Sequence, residues 1–248
     1  MGTLPVQVKP IELKAQKEPS FWISKQEWFT VQMYVEIGLL LPTEPAEMPF
    51  DDIRATYMEI KTHCRTWKEL IYPNTVKLAF ELSDYSQTAK TYYGALKNLL
   101  PDLRSDNPSE SAEKKFNLIV EHLNIDAEDY HQRAEVAIAS ISQIRQHYLW
   151  ELKKLYQLHA VYNVQSDNSS NTHLALSGIK FLKEILSNAL PVIDKIYKLW
   201  QLLASDLKAL KANILKEAYK KASQAYLNEQ LINLDNISRH TEEYKVIV

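Results

Sequence analysis

The sequence has few of the residues that sheet proteins and nucleotide-binding folds require. Only 4 of its 248 residues are glycine. Glycine supplies tight turns and lets the backbone approach a phosphate closely, so its scarcity favours long helices with few connections. The single cysteine, Cys64, excludes an internal disulfide and a cysteine-rich zinc site. Its position on an apolar face predicts a small buried side chain rather than a reactive thiol.

The net charge is also small, and the sequence has no long apolar run. The formal net charge of -2 at pH 7 gives no electrostatic reason to expect a nucleic-acid partner. No stretch reaches the roughly 18 uncharged apolar residues of a membrane-spanning helix, and the first residues lack the pattern of a secretory signal. We therefore expect the chain to be made as a soluble cytoplasmic protein. If it acts outside the cell, it would leave by lysis or by a dedicated export route.

The aromatic-rich stretch FWISKQEWFTVQMYVEIGLLLPTEP, residues 21–45, predicts the first helix. Ser24 and Glu27 have the spacing of a capping box, in which each side chain accepts a hydrogen bond from a free backbone N–H of the first turn. Pro42 ends the helix. Polar residues within the stretch argue against a membrane-spanning segment. Its apolar face consists of Trp28, Val31, Val35 and Leu39.

The second predicted helix begins near Asp51 and carries apolar residues that are alternately four and three positions apart. Pro73 interrupts the pattern, which then resumes. We expect either one long helix kinked at Pro73 or two nearly collinear helices. The predicted apolar face consists of Ile53, Tyr57, Ile60, Cys64, Trp67 and Ile71 before the interruption, and of Leu78, Leu82, Tyr85, Ala89, Tyr92, Leu96 and Leu99 after it.

The third predicted helix has the clearest start, with Asn107 as its N-cap and Pro108 as its first residue. It continues without glycine or proline to about Val164, where a polar loop of residues 166–171 follows. Its apolar face consists of Ala127, Tyr130, Ala134, Ala137, Ile141, Ile144 and Tyr148.

The fourth predicted helix keeps the three-four alternation without exception from Ile179 to Ile214, and Pro191 within it should produce a kink. A sustained repeat of 3.5 residues indicates helices that wind around each other. The remainder, to about Tyr244, is a last helix or a continuation. The predicted bundle seam on the fourth helix consists of Leu186, Ile193, Ile196, Trp200, Leu203, Leu207 and Leu210.

Together these patterns predict an all-α fold. It is an elongated antiparallel bundle of about five long helices with coiled-coil-like packing. Residues 1–20 form a flexible arm in this prediction, and residues 21–248 form a single domain.

Catalytic motifs are scarce in the sequence. It contains no glycine-rich phosphate loop, nucleophile elbow or HExxH motif. Glu128 and His131 form one ExxH, whereas di-iron bundles use two such motifs with two further glutamates, so a surface pair is the favoured interpretation. His159 and His173 flank the polar loop, and we favour two exposed histidines over an acid-sensitive switch there. We expect no catalysis, no cofactor and no metal.

Two segments resemble α-helical pore-forming toxins of the cytolysin A superfamily. FWISKQEWFTVQMYVEIGLLLPTE is most similar to the α-xenorhabdolysin-like branch, where an aromatic-led helix also ends in a Leu-Pro-Thr turn. ALPVIDKIYKLWQLLASDLKAL, residues 189–210, resembles the late long helix of the same toxins, notably at Trp200, Leu203, Asp206 and Leu207.

The resemblance implies a tail of long helices and a head at about residues 149–182. In the family the head inserts into a target-cell membrane as subunits assemble, so it implies a membrane, companion toxin subunits and further copies of the chain as partners. This chain has only a short polar loop where members that act alone carry a long apolar insertion. We therefore expect a secreted component of a multi-part toxin. The alternative is a non-toxin helical scaffold or adaptor. The head residues expected to meet lipid or a partner are Leu155, Leu158, Val161, Tyr162, Leu174, Leu176 and Ile179.

Overall fold

A computed structural model describes residues 23–105, 107, 109–164, 170–212 and 224–247. Within these ranges long helices are joined by short turns, and no strand occurs, which confirms the all-α prediction. The predicted arm, Pro108, Ile214 and residues 166–169 of the predicted loop lie outside the described residues. The helices are α1 (Lys25–Leu40), α2 (Asp51–Thr66), α3 (Tyr72–Leu103), α4 (Glu110–Val164), α5 (Ser170–Ala212) and α6 (Gln224–Ile247).

Side-chain contacts show that neighbouring helices run antiparallel. As the residue number increases along α2 and α3, the number of the α4 residue in contact decreases by the same amount. The helix α4 has 55 residues and is therefore roughly 82 Å long. The contacts with α4 are Asp52–Tyr162, His63–Glu151 and Glu81–Arg133. The pairs Arg145–Asp194 and Tyr156–Lys183 join α4 to α5, and Ser83–Glu242, Lys90–Asp235 and Lys97–Asn228 join α3 to α6.

A π-helical turn, Trp67–Ile71, joins α2 to α3 without a break. The Tyr72 N–H donates a hydrogen bond to the Trp67 carbonyl, five residues earlier instead of four. Pro73 has no N–H to donate, and in a regular α-helix its ring crowds the carbonyl four residues earlier. The wider turn accommodates both effects. Of the two alternatives predicted at Pro73, the structure has one continuous helical segment with a local widening before Pro73, and a kink there stays a prediction.

The predicted helix starts differ in outcome. The capping box of α1 is confirmed, because the Ser24 hydroxyl accepts from the Glu27 N–H at 3.2 Å and the Glu27 carboxylate accepts from the Ser24 N–H at 2.9 Å. The Asn107 cap predicted for α4 is wrong, because α4 begins at Glu110. Ser109 caps it instead, with its hydroxyl 3.1 Å from the Ala112 N–H. Serine is as good an N-cap as asparagine, so composition alone could not separate the two.

The buried face of α3 departs from the predicted spacing after Ala89. Tyr92 is 39% exposed, whereas Tyr93 is only 1% exposed. Leu99 is only partly buried, and Leu100 is 2% exposed. The buried residues Tyr85, Ala89 and Tyr93 are separated by two consecutive spacings of four, as at an inserted step in a coiled coil, and Leu96 stays buried as predicted. The burial predicted for Tyr92 and Leu99 is therefore wrong.

The seam of α5 lies in the centre of the bundle. Pro191 is on the exposed side, and α5 continues through it, so the predicted kink there stays a prediction. The Trp200 ring packs edge-on against the Tyr244 ring of α6, with centroids 5.7 Å apart. The predicted seam residues that are 0% exposed are Leu186, Ile193, Ile196, Trp200, Leu203, Leu207 and Leu210.

The contact between α1 and α2 depends on a glycine. Gly38 of α1 lies directly over Cys64 of α2, and a Cβ added at Gly38 would be 2.3 Å from the Cys64 Sγ. Cys64 is 0% exposed, which confirms the prediction of a buried thiol. A larger residue at position 38 fits only if the Cys64 side chain or one of the two helices moves.

We expect Gly38→Ala to lower the free energy of unfolding by about 1–3 kcal/mol, because the added methyl group overlaps Cys64. Gly94→Ala is the matched control, since an added Cβ there meets nothing within 4 Å. It should raise the free energy of unfolding by about 0.5–1 kcal/mol through helix propensity. Urea denaturation followed by tryptophan fluorescence measures both. Equal effects of the two substitutions would show that the close approach of α1 to α2 is unimportant.

Candidate functional site

The predicted head residues lie where α4 ends and α5 begins, and they differ in exposure. Leu155 and Ile179 are 0% exposed and belong to the core, as do Leu158 and Tyr162. Leu176 is partly buried. Val161 and Leu174 face outward, with 46% and 76% of their surface exposed. The predicted set thus combines residues that hold the bundle together with residues that present apolar surface.

The turn between α1 and α2 covers this end of the bundle. The Phe50 ring meets the Tyr162 ring edge-on, with centroids 5.1 Å apart. The Tyr162 hydroxyl donates a hydrogen bond to the Asp52 carboxylate at 2.7 Å. Burial, together with this bond, raises the pKa of Tyr162 to about 12, so the hydroxyl remains a donor at physiological pH. One edge-on ring pair and one charge-assisted hydrogen bond therefore attach the turn to α4.

An apolar groove of about 280 Å³ separates the turn from α5. Leu41 and Met48 contribute buried side chains, and Leu174 and Phe181 lie at its exposed edge. Gly178 lies within the groove, where an added Cβ would be 3.2 Å from the Tyr57 hydroxyl. The absence of a side chain at Gly178 lets α2 approach α5 closely beneath the turn.

Exposed apolar side chains continue from the groove along the outer faces of α4 and α5. Lys154 lies over the Trp150 ring at 4.6 Å, and Lys183 lies over the Tyr156 ring at 4.7 Å. Aromatic rings beside lysines suit the boundary between an apolar phase and water. We call this surface the tip band. It consists of Leu149, Trp150, Tyr156, Val161, Val164, Leu174 and Phe181.

Sequence reasoning missed five members of the tip band because it selected the residues of the three-four pattern, which face the core. The available signal was the reverse pattern: large apolar residues that fall outside the seam. These five residues are Leu149, Trp150, Tyr156, Val164 and Phe181.

The Glu128–His131 motif is remote from this surface, whereas His159 and His173 lie at the same end of α4 and α5 as the tip band. The His131 Nε2 lies 3.8 Å from Glu135, while Glu128 accepts a hydrogen bond from Gln132. His159 is partly buried and His173 is exposed. Across the described residues, no group of three or more histidine, cysteine or acidic side chains is arranged to hold a metal ion. No described helix is both long enough and apolar enough to cross a membrane.

Comparison with known proteins gives one match by sequence and several by structure. No family model matches the sequence. A segment is 28% identical over 115 residues to the pesticidal crystal protein Cry6Ba of Bacillus thuringiensis, covering 38% of this chain and 29% of that protein. The chain thus matches less than a third of the length of that relative.

The structural matches extend over nearly the whole chain. The SmhB pore of the tripartite alpha-pore forming toxin Smh, from Serratia marcescens, has a TM-score of 0.55 at 11% identity, covering 89% of this chain and 98% of that chain. XaxA of Xenorhabdus nematophila has a TM-score of 0.46 at 8% identity, covering 90% of this chain and 96% of that chain. At such low identity the SmhB match shows the fold, and it agrees with the resemblance seen in the sequence. The chain has the fold of SmhB.

Proposed function

We propose that the chain is one component of an α-pore-forming cytotoxin, which binds a target membrane or partner subunits and assembles with them into a pore. It acts without catalysis, after release from the producing cell. The observation that carries this proposal is the tip band, an exposed apolar and aromatic surface at one end of a bundle with the SmhB fold. Residues 165–169 alone separate α4 from α5, which supports a need for companion subunits.

The tip band suits insertion at a membrane interface. Its aromatic and aliphatic side chains provide apolar area, and Lys154 and Lys183 can keep their charges in the headgroup layer. The band also lies outside the seam, so it can contact lipid or a neighbouring subunit while the core stays packed. The turn over Tyr162 is the part that would have to move for the deeper residues to take part.

The first test replaces Leu174, the most exposed leucine of the tip band. Leu174→Asp should weaken binding to phosphatidylcholine vesicles at least tenfold, because burying a leucine stabilises by about 1.5–3 kcal/mol and a carboxylate opposes burial. Vesicle flotation and dye leakage, with the chain alone and with proteins encoded beside it, measure the effect.

Leu118→Asp is the matched control. Leu118 is 56% exposed on α4 and lies roughly 69 Å along that helix from Val164. It should retain vesicle binding. Equal losses in the two variants would contradict a role for the tip band, and the absence of binding and leakage in every combination would favour the scaffold alternative.

The second test concerns the turn. Tyr162→Phe keeps the ring against Phe50 but removes the hydrogen bond to Asp52, which should lower the free energy of unfolding by about 1–2 kcal/mol. If the turn must move before binding, the variant should also bind vesicles several-fold faster. Tyr92→Phe, at a partly exposed ring of α3 outside the tip band, is the control and should change neither quantity. Reduced stability with an unchanged binding rate would show that binding does not require movement of the turn.

A further inference from the structure

A carboxylate lies in the core where α1, α2 and α4 meet. Glu151 of α4 is 0% exposed. The Tyr34 hydroxyl of α1 donates a hydrogen bond to it at 2.5 Å, and the Nδ1 of His63 on α2 lies 2.5 Å from its other oxygen. Burial raises the pKa of Glu151, and the bonds to His63 and Tyr34 partly oppose that rise. A single buried acid therefore joins three helices that are distant in sequence.

A second histidine extends the group. The His147 ring of α4 stacks on the His63 ring, with centroids 3.9 Å apart and planes 18° from parallel. Burial, and then the neighbouring His63, lower the pKa of His147. Two imidazoles in face-to-face contact cannot both become cations without strong repulsion.

The group can accept one proton easily but not two. A proton on His63 is balanced by the Glu151 carboxylate 2.5 Å from its Nδ1, so that such a pair carries no net charge. The next proton has to enter either His147, directly against a charged His63, or Glu151, whose charge balances His63. Each choice leaves uncompensated positive charge where three helices meet.

We propose that Tyr34, His63, His147 and Glu151 form an acid-sensitive latch, which holds α1 and α2 against α4 and releases them when a second proton enters. Tyr162 lies roughly 16 Å along α4 from Glu151, so release would loosen the same two helices whose turn covers Tyr162 and borders the groove beside the tip band. That consequence rests on the proposed function, whereas the release itself does not.

The other titratable groups around the latch are two buried neutral groups and several charged groups at its edge. Burial raises the pKa of Cys64 and of Tyr148 well above the usual range, so both remain neutral. The remaining charged groups near the latch are Glu36 on α1, which pairs with Lys68, Glu59 on α2, and the Arg145–Asp194 pair towards α5.

The direction of the pH effect follows from the two pKa shifts. An exposed His147 titrates near its usual pKa of about 6.5, and in the closed latch its pKa is lower. Between these two values the open state binds more protons, so acidification favours opening by up to about tenfold per pH unit. The raised pKa of Glu151 acts in the opposite direction. A variant at His147 separates the two contributions.

Cys64, the only cysteine, reports opening directly because it is fully buried beside the latch and under Gly38. The probe is 4,4′-dithiodipyridine, which remains reactive towards thiols in acid. Its rate with the native chain is divided by its rate with the urea-unfolded chain at the same pH. In the unaltered protein this ratio should rise several-fold more between pH 6.5 and 5.0 than in His147→Gln.

His122→Gln makes the same change at an exposed histidine of α4, and it should follow the profile of the unaltered protein. If His147→Gln is already open at pH 7.5, His147→Phe keeps a stacked ring without a titratable group and provides the same comparison. The comparison uses the His147 variant that stays closed at pH 7.5. If its rate ratio and that of the unaltered protein change with pH in parallel, within twofold, the latch is overturned. It is also overturned if both His147 variants are already open at pH 7.5. The assay contains no membrane, so its result is independent of vesicle binding measured at pH 7.5.

Discussion

The antiparallel pairing of the α2–α3 segment with α4 is the constraint on which the other contacts depend. Three polar pairs, Asp52–Tyr162, His63–Glu151 and Glu81–Arg133, keep one register along the two segments, including the π-helical turn. An apolar seam alone tolerates a shift by one heptad, because leucine and alanine faces are similar along their length. Specific polar partners do not tolerate such a shift. This register positions the α1–α2 turn over the end of α4.

Glu151 shows how such a constraint affects stability. A buried carboxylate loses hydration, and replacing buried ionic groups with apolar ones often raises the free energy of unfolding. Here the group makes hydrogen bonds to two other helices, so the loss of hydration is offset only when α1 and α2 are both in place. The same dependence makes the contact sensitive to proton uptake. A stack of leucines in this position would hold the helices at every pH.

The sequence predicted the features that follow from periodicity and local capping. The seam of α5 and the box at Ser24 depend only on residues close together in the chain, and Pro73 carries its own steric signal. Tyr92 was assigned to the core because a strict repeat hides an inserted step. The Glu151 contacts could not be predicted, since Tyr34 and His63 approach it only through the tertiary register. The exposed residues of the tip band could be predicted only by knowing which face of α4 the other helices leave uncovered.

The tip band and the seam use apolar residues for different purposes on the same helices. Residues such as Leu155 and Ile179 lose their contact with water on folding, and that burial supplies most of the stability of the bundle. Leu174 and Phe181 remain largely exposed in the isolated chain, so their apolar surface is available to a second phase or a second molecule. A helix that carries both sets can bind without first unfolding its core. In the proposed function the covering turn limits how much of the deeper apolar surface joins the contact, because the Phe50–Tyr162 and Asp52–Tyr162 contacts hold the turn on α4.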